Sequence, residues 1–132
     1  VTIVDRYRQR HAERMAGYGE LDPEDPNYHV FVRPSHIAVG TGILTEGEDT
    51  KLTALVNELH REPITARWLT GGDIARFSAI FTKGVANDTW TEVGLFNADT
   101  DGDMLVRDEN TSGFTTKTAD QVKVVVGKLR IA

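Results

Sequence analysis

Ile64-Thr65-Ala66-Arg67-Trp68-Leu69, then Thr70-Gly71-Gly72-Asp73, then Ile74-Ala75-Arg76-Phe77-Ser78-Ala79-Ile80-Phe81 is the stretch on which the fold turns. Ile64, Ala66 and Trp68 alternate on the first flank; Ile74, Arg76, Ser78 and Ile80 alternate against Ala75, Phe77, Ala79 and Phe81 on the second. Successive side chains of an extended chain point to opposite faces, so a period of two marks a strand with one buried face. The Gly-Gly pair supplies the reversal, and the stretch reads as a β-hairpin.

Similar runs extend outward from it. Upstream, His36 to Gly40 reads as a strand, with Val30-Phe31-Val32 as another before Arg33-Pro34-Ser35. Gly40-Thr41-Gly42 reads as a turn in which glycine supplies positive φ. The acidic loop Leu44–Asp49 follows. Leu52, Leu55, Val56 and Leu59 recur at helical spacing, so 51–59 is expected to be a short helix, or a turn running into a strand. Downstream, Thr91–Asn97, Met104–Asp108, Phe114–Lys117 and Gln121–Ile131 read as strands separated by turns at Asp99–Gly102 and Gly113. Gly94 falls inside a strand, where glycine implies a bulge or a closely packed neighbour; Trp68 or Trp90 is the expected neighbour. The expected fold is mainly β: an antiparallel β-sandwich-like domain over 29–132.

Residues 1–28 differ in character. Thr2 to Ala16 lacks Gly and Pro and is rich in helix formers, with Thr2 placed to cap and Gly17 and Gly19 to end a helix. Gly17 to Tyr28 holds two prolines and two glycines and reads as a linker. The helix is short and polar, so it is marginal alone in water. The expectation is an N-terminal helical arm that docks on a neighbouring subunit through Ile3, Tyr7, Arg10, Arg14, Met15, Tyr18 and Tyr28. Deleting residues 1–20 is then expected to leave a folded monomer that no longer assembles.

The 132 residues suffice for one domain. A net charge of −5 argues against nucleic-acid binding, which needs a basic field to displace phosphate counterions. No cysteine is present, so disulfides and thiolate metal sites are excluded. No apolar run reaches membrane-spanning length, and the N-terminus lacks the apolar core of a secretory signal.

Catalytic patterns are sparse. Asn97-Ala98-Asp99-Thr100-Asp101-Gly102-Asp103, with Asp108 in twelfth place, follows much of a calcium-loop pattern. Asn stands first and Asp last, however, and strands flank it, so it reads as an Asp/Gly hairpin loop. His11, His29, His36 and His60 are scattered and define no zinc set. Glu46, Glu48, Asp49, Glu58 and Glu92 could in principle supply a glycosidase pair, but no spacing singles two out. Ser35, Ser78 and Ser112 lack a nucleophile motif, and Gly71-Gly72-Asp73 lacks the Lys-Ser/Thr of a phosphate loop. The expectation is a non-enzymatic chain without metal or cofactor.

Taken in order, His36-Ile37-Ala38-Val39-Gly40-Thr41-Gly42, Leu55-x-x-Glu58-x-x-Arg61, Phe77-Ser78-Ala79-Ile80-Phe81, Glu92-Val93-Gly94-Leu95-Phe96-Asn97-Ala98, Leu105-Val106-Arg107 and Lys117 before a valine-rich strand form a series. The series resembles a family of tail-fibre, tail-collar or baseplate structural proteins of tailed phages, over about residues 36–131. The 43–50 loop is more acidic than the Thr/Ala/Pro-rich loop of that pattern. The resemblance implies a virion structural protein made in the host cytoplasm. Its partners would be other tail or baseplate proteins and further copies of itself, as a trimer or six-fold ring, with no nucleic acid or membrane partner. A receptor- or carbohydrate-binding module of a tail fibre is the alternative. The family brings no catalytic residues to transfer.

Overall fold

A computed structural model describes residues 2–5, 34–71 and 74–130. The strands among them are β1 (Thr2–Ile3), β2 (His36–Gly40), β3 (Glu58–Pro63), β4 (Ala66–Thr70), β5 (Ile74–Phe81), β6 (Thr89–Trp90), β7 (Glu92–Phe96), β8 (Met104–Glu109), β9 (Thr115–Thr116) and β10 (Lys123–Arg130). Every pairing is antiparallel. A wide sheet runs β1-β8-β7-β2-β3, a narrow sheet runs β10-β5-β4, and β6 pairs with β9. The chain is therefore mainly β with antiparallel sheets, as its alternation implies.

The 64–81 hairpin forms as read: β4 and β5 pair from Ala66↔Ser78 to Thr70↔Ile74. The inward residues of the narrow sheet, Phe77, Ala79, Phe81 and Leu129, are buried. They meet Ile37, Leu95 and Val106 of the wide sheet in one core. Phe81 joins the layers, its ring 5.2 Å from Trp90 and edge-on to His60 of β3 at 6.2 Å. On β7, Leu95 faces Gly127 of β10, while Gly94 points the other way, toward Leu55. So the β2–β3 connection, residues 41–57, covers the face of the wide sheet opposite the narrow sheet. The order of layers is connection, wide sheet, narrow sheet.

Several sequence expectations change. Thr2 and Ile3 do not begin a helix; they form β1 and pair with Arg107 and Val106. Val4 follows fully buried. Burying a valine side chain contributes about 1.5–3 kcal/mol, more than the few tenths of a kcal/mol that separate helix propensities, so the open edge of β8 wins. Asp5, the next described residue of the expected helix, is helical; residues 6–16, Val30-Phe31-Val32 and six of the seven expected arm residues (Tyr7, Arg10, Arg14, Met15, Tyr18 and Tyr28) lie outside the described residues. The seventh, Ile3, is half-buried and packs against the core.

Of the two readings of 51–59, a short helix or a turn running into a strand, the second is the one found. A 3-10 turn at Asp49–Lys51 leads into irregular chain and then β3. The cause is a long-range contact: the N–H groups of Val56 and Asn57, which a helix would bond internally, are taken by the Glu92 carboxylate. The neighbours of Gly94 are Leu55 and Phe96, not a tryptophan; a Cβ there would stand 3.0 Å from each. On β10, Val124 and Val126 face outward and are exposed, as is Val122 just before it.

Candidate functional site

The most connected polar constellation among the described residues is built on Glu92 and Arg107. The antiparallel register of β7 and β8 places Arg107 opposite Gly94, two residues from Glu92 on the same face. Because Gly94 has no side chain, Leu55, Phe96 and Met104 close over that spot. Glu92 is 0% and Arg107 1% exposed. A charge so buried is costly unless paired and fully hydrogen-bonded, and both are.

Glu92 Oε2 accepts from the N–H of Gly42 (2.9 Å) and of Asn57 (2.7 Å). Its Oε1 accepts from the N–H of Val56 (2.8 Å) and from Arg107 Nε (3.2 Å) and Nη2 (3.0 Å). Arg107 also donates through Nη1 to Asp49 (2.9 Å) and through Nη2 to Glu109 (2.8 Å). Glu109 Oε1 in turn accepts from the N–H of Leu44 (2.8 Å). One glutamate and one arginine thus hold both ends of the 41–57 connection against β7 and β8. Burial pulls the Arg107 pKa down, but its hydrogen bonds to Glu109, Glu92 and Asp49 outweigh that and hold it above its ordinary value. The Leu44 N–H, followed by Arg107, holds the Glu109 carboxyl below the usual carboxylate range.

Gly40 and Gly42 belong to the same cradle. The sequence reading gave them a turn with positive φ; neither has it. What they need is space. A Cβ on Gly40 would lie 2.4 Å from the Asn57 carbonyl oxygen and 2.5 Å from Glu92 Oε2. One on Gly42 would lie 2.4 Å from Val56 Cβ and 2.5 Å from the same carboxylate oxygen. Thr91 completes the clamp, donating N–H to Gly40 O and its hydroxyl to Gly42 O.

A second, smaller clamp is built on Arg61 of β3. Its guanidinium grips Glu58 with Nε and Nη2 and lies 3.7 Å over the Phe96 ring. Its Nη1 donates to the carbonyl oxygens of Ala98 (2.8 Å) and Asp101 (2.9 Å). This bears on the calcium-like loop. Two of its carbonyls already converge on a cation, the guanidinium, and the Asn97 side chain accepts from Asp103 N–H (2.7 Å). Asp101 and Gly102 take left-handed φ values of 53° and 68°, as a tight hairpin loop requires. Among the described residues, no three His, Asp or Glu side chains are grouped to hold a metal ion.

The remaining candidates are dispersed. His60 meets Glu62 at 2.7 Å, and His36 meets the Ser35 hydroxyl at 2.7 Å. Partial burial lowers the His36 pKa, with Asp99 partly offsetting it. Of the carboxylates weighed for glycoside chemistry, Asp49 and Glu92 are bound to Arg107 and Glu58 to Arg61, while Glu46 and Glu48 stand exposed on their loop. Lys117 is buried, donating to Asn87 Oδ1 (3.2 Å) and Thr118 O (3.4 Å). An apolar groove of about 480 Å³ runs between β7–β8 and β10, lined by Val93, Leu95, Val106, Phe114 and Val125 among others.

Sequence reasoning did not single out the Glu92–Arg107 pair. The available signal was a charged residue in each of two strands, Glu92 in β7 and Arg107 in β8, at positions the alternation assigns to the same face as Gly94 and Phe96. No protein-family model matches the chain, and a search of curated proteins returns no match.

Proposed function

We propose that this chain is a non-enzymatic structural subunit of a tailed-phage tail or baseplate, joining tail components or attaching fibres through protein–protein contacts. What carries the reading is where the motif residues go. Gly40, Gly42, Glu92 and Arg107, each part of the tail-protein resemblance, converge on one buried clamp. Glu58 and Arg61 form the second clamp, and Lys117 is buried, donating to Asn87 of the β5–β6 connection. A recurring pattern spent on rigidity rather than on an open constellation suits a part whose task is shape and contact. On this reading the two packed sheets are a sandwich-like rigid body, and the part of the expected 1–28 arm that follows β1 adds contacts to neighbours.

The test is the particle itself. Purified virions from a host carrying this coding sequence, analysed by mass spectrometry and by immunogold labelling against this chain, are expected to contain it in the tail. A chain that is expressed in the lysate but absent from washed particles overturns the proposal.

One observation favours a second reading, a receptor- or carbohydrate-binding module of a fibre. Trp68 stands 42% exposed on β4, directly beside Arg76, in a geometry open to sugar stacking. A glycan array with the parent chain and Trp68→Ala separates the two: binding that the substitution abolishes supports the module, and no binding removes it.

A further inference from the structure

The narrow sheet carries charge of one sign only. Its strands hold Arg67, Arg76, Lys123, Lys128 and Arg130 and no carboxylate. Set against a net charge of −5, those five positive charges leave −10 for the rest of the chain. Arg67 and Lys123 share the register of the inward Phe77 and Phe81, while Arg76 and Lys128 stand on the outward face, which is otherwise largely apolar. Register places Trp68, Arg76 and Lys128 in one row across the three strands, and Ala66, Ser78 and Val126 in the next. Val124 and Ile80 follow in a third row. Trp68, Ile80, Val124 and Val126 are 41–61% exposed. Arg76 and Lys128 stand directly opposite each other, a like-charge pairing that opposes folding unless an anion answers it. Among the described residues no carboxylate pairs with either.

The opposite side of the molecule is its complement. There the 41–57 connection exposes Glu46 and Glu48 together with Ile43 and Val56; its one cation, Lys51, is paired with Asp5. No described cation forms an ion pair with Glu46 or Glu48. The layer order puts this acidic, apolar patch and the basic, apolar sheet on opposite faces of one rigid body. Two unlike patches that match each other cannot satisfy one another within a chain. They can do so between copies, head to tail, and a head-to-tail contact generates a closed ring when the rotation closes.

We propose that a second copy of this chain docks its Ile43–Val56 patch, with Glu46 and Glu48, onto the outward face of the narrow sheet, and that repetition of this contact builds a ring. Glu46 and Glu48 answer Arg76 and Lys128, while Ile43 and Val56 cover Trp68, Ile80 and the β10 valines. The inference does not depend on where in a particle the subunit sits.

The experiment is sedimentation velocity with the full chain at low and high salt. The parent chain is expected to sediment as a discrete multiple of 14.6 kDa at low salt and to dissociate as salt rises, because exposed charge pairs are screened beyond about 10 Å at 0.1 M. Arg76→Glu with Lys128→Glu, or Glu46→Lys with Glu48→Lys, each reduces it to a monomer with unchanged circular dichroism. All four changes in one chain restore the ring. Mixing the two monomeric variants restores assembly as well, because alternating copies make one contact with both native charges and the next with both charges exchanged; a mixture that stays monomeric overturns the proposal. A parent chain monomeric at all concentrations and both salts overturns the proposal. So does an oligomer that survives both reversals, or a two-fold dimer that only one of them dissolves. A monomer that is nevertheless found in virions overturns this inference and leaves the tail reading intact; a ring absent from virions does the reverse.

Discussion

Glu92 shows how much one side chain organises. It supplies acceptors for three backbone N–H groups and for Arg107; the bonds to Gly42 and Arg107 are buried and those to Val56 and Asn57 partly so. Replacing Glu92 by Ala leaves a buried guanidinium short of its main partner, and should cost about 3–5 kcal/mol in chemical denaturation. Removing both charges is often nearly neutral for a buried ion pair. Here it should not be. In Glu92→Leu with Arg107→Met, the N–H groups of Gly42, Val56 and Asn57 lose their acceptor, at about 1–3 kcal/mol each if they stay buried. A double variant as stable as the parent would show that the clamp does not hold the connection. The glycines give a matched comparison. Gly42→Ala drives a Cβ into Val56 and the Glu92 carboxylate and should cost about 1–3 kcal/mol through overpacking. Gly47→Ala has nothing within 4 Å and meets only its left-handed φ of 84°, at about 1 kcal/mol. Equal losses in thermal melts would count against close approach as the reason for Gly42.

Among the elements, β1 changes most from its sequence reading. Thr2 and Ile3 complete the edge of the wide sheet, and Val4, whose N–H donates to Leu105 O, sits wholly inside. Removing residues 1–20 therefore should not leave an intact body that merely fails to assemble. It should uncover β8 and the Val4 site and destabilise the domain by roughly 2–4 kcal/mol, from lost apolar burial and lost pairing. A truncated chain with the parent's melting temperature would contradict this. The β7–β8 hairpin depends similarly on Arg61. Arg61→Lys keeps the charge but loses the fork on Glu58, the two carbonyl contacts and the stacking on Phe96. Amide exchange at Asp103, whose N–H is held inside the loop, should then accelerate with little change in β10. The 51–59 stretch shows why its helical spacing gave way to the alternative reading, a turn running into a strand. Its pattern is real, but of Leu52, Leu55, Val56 and Leu59 only Leu55 is fully buried, because the backbone there is pulled open by Glu92.

At the scale of the whole molecule, acid should act in two steps. His36 has a lowered folded pKa, so the unfolded chain binds its proton first as pH falls below about 6.5, and stability declines through the folded value. Glu109 also has a lowered folded pKa; its contribution is full above about 4.3 and is lost as pH falls through the folded value. Urea melts at about pH 7.5, 5.5 and 3.5 should show falling midpoints with constant slope, and His36→Gln should flatten only the upper step. A parent chain equally stable at the two higher values would refute the His36 assignment.

The sequence by itself determined the β character, the 64–81 hairpin and most strand positions, because strand alternation and Gly/Asp turns are local properties that a linear pattern records. It also placed the motif residues in order, without saying what they do. Only the tertiary structure decided that Gly40 and Gly42 make room rather than turn, that Ile3 and Val4 belong to a sheet, and that Glu92 meets Arg107. It alone set a basic sheet and an acidic loop on opposite faces. Each of these depends on which distant segments come together, and burial and unmet hydrogen bonds at such meetings outweigh the fractions of a kcal/mol that local preference supplies.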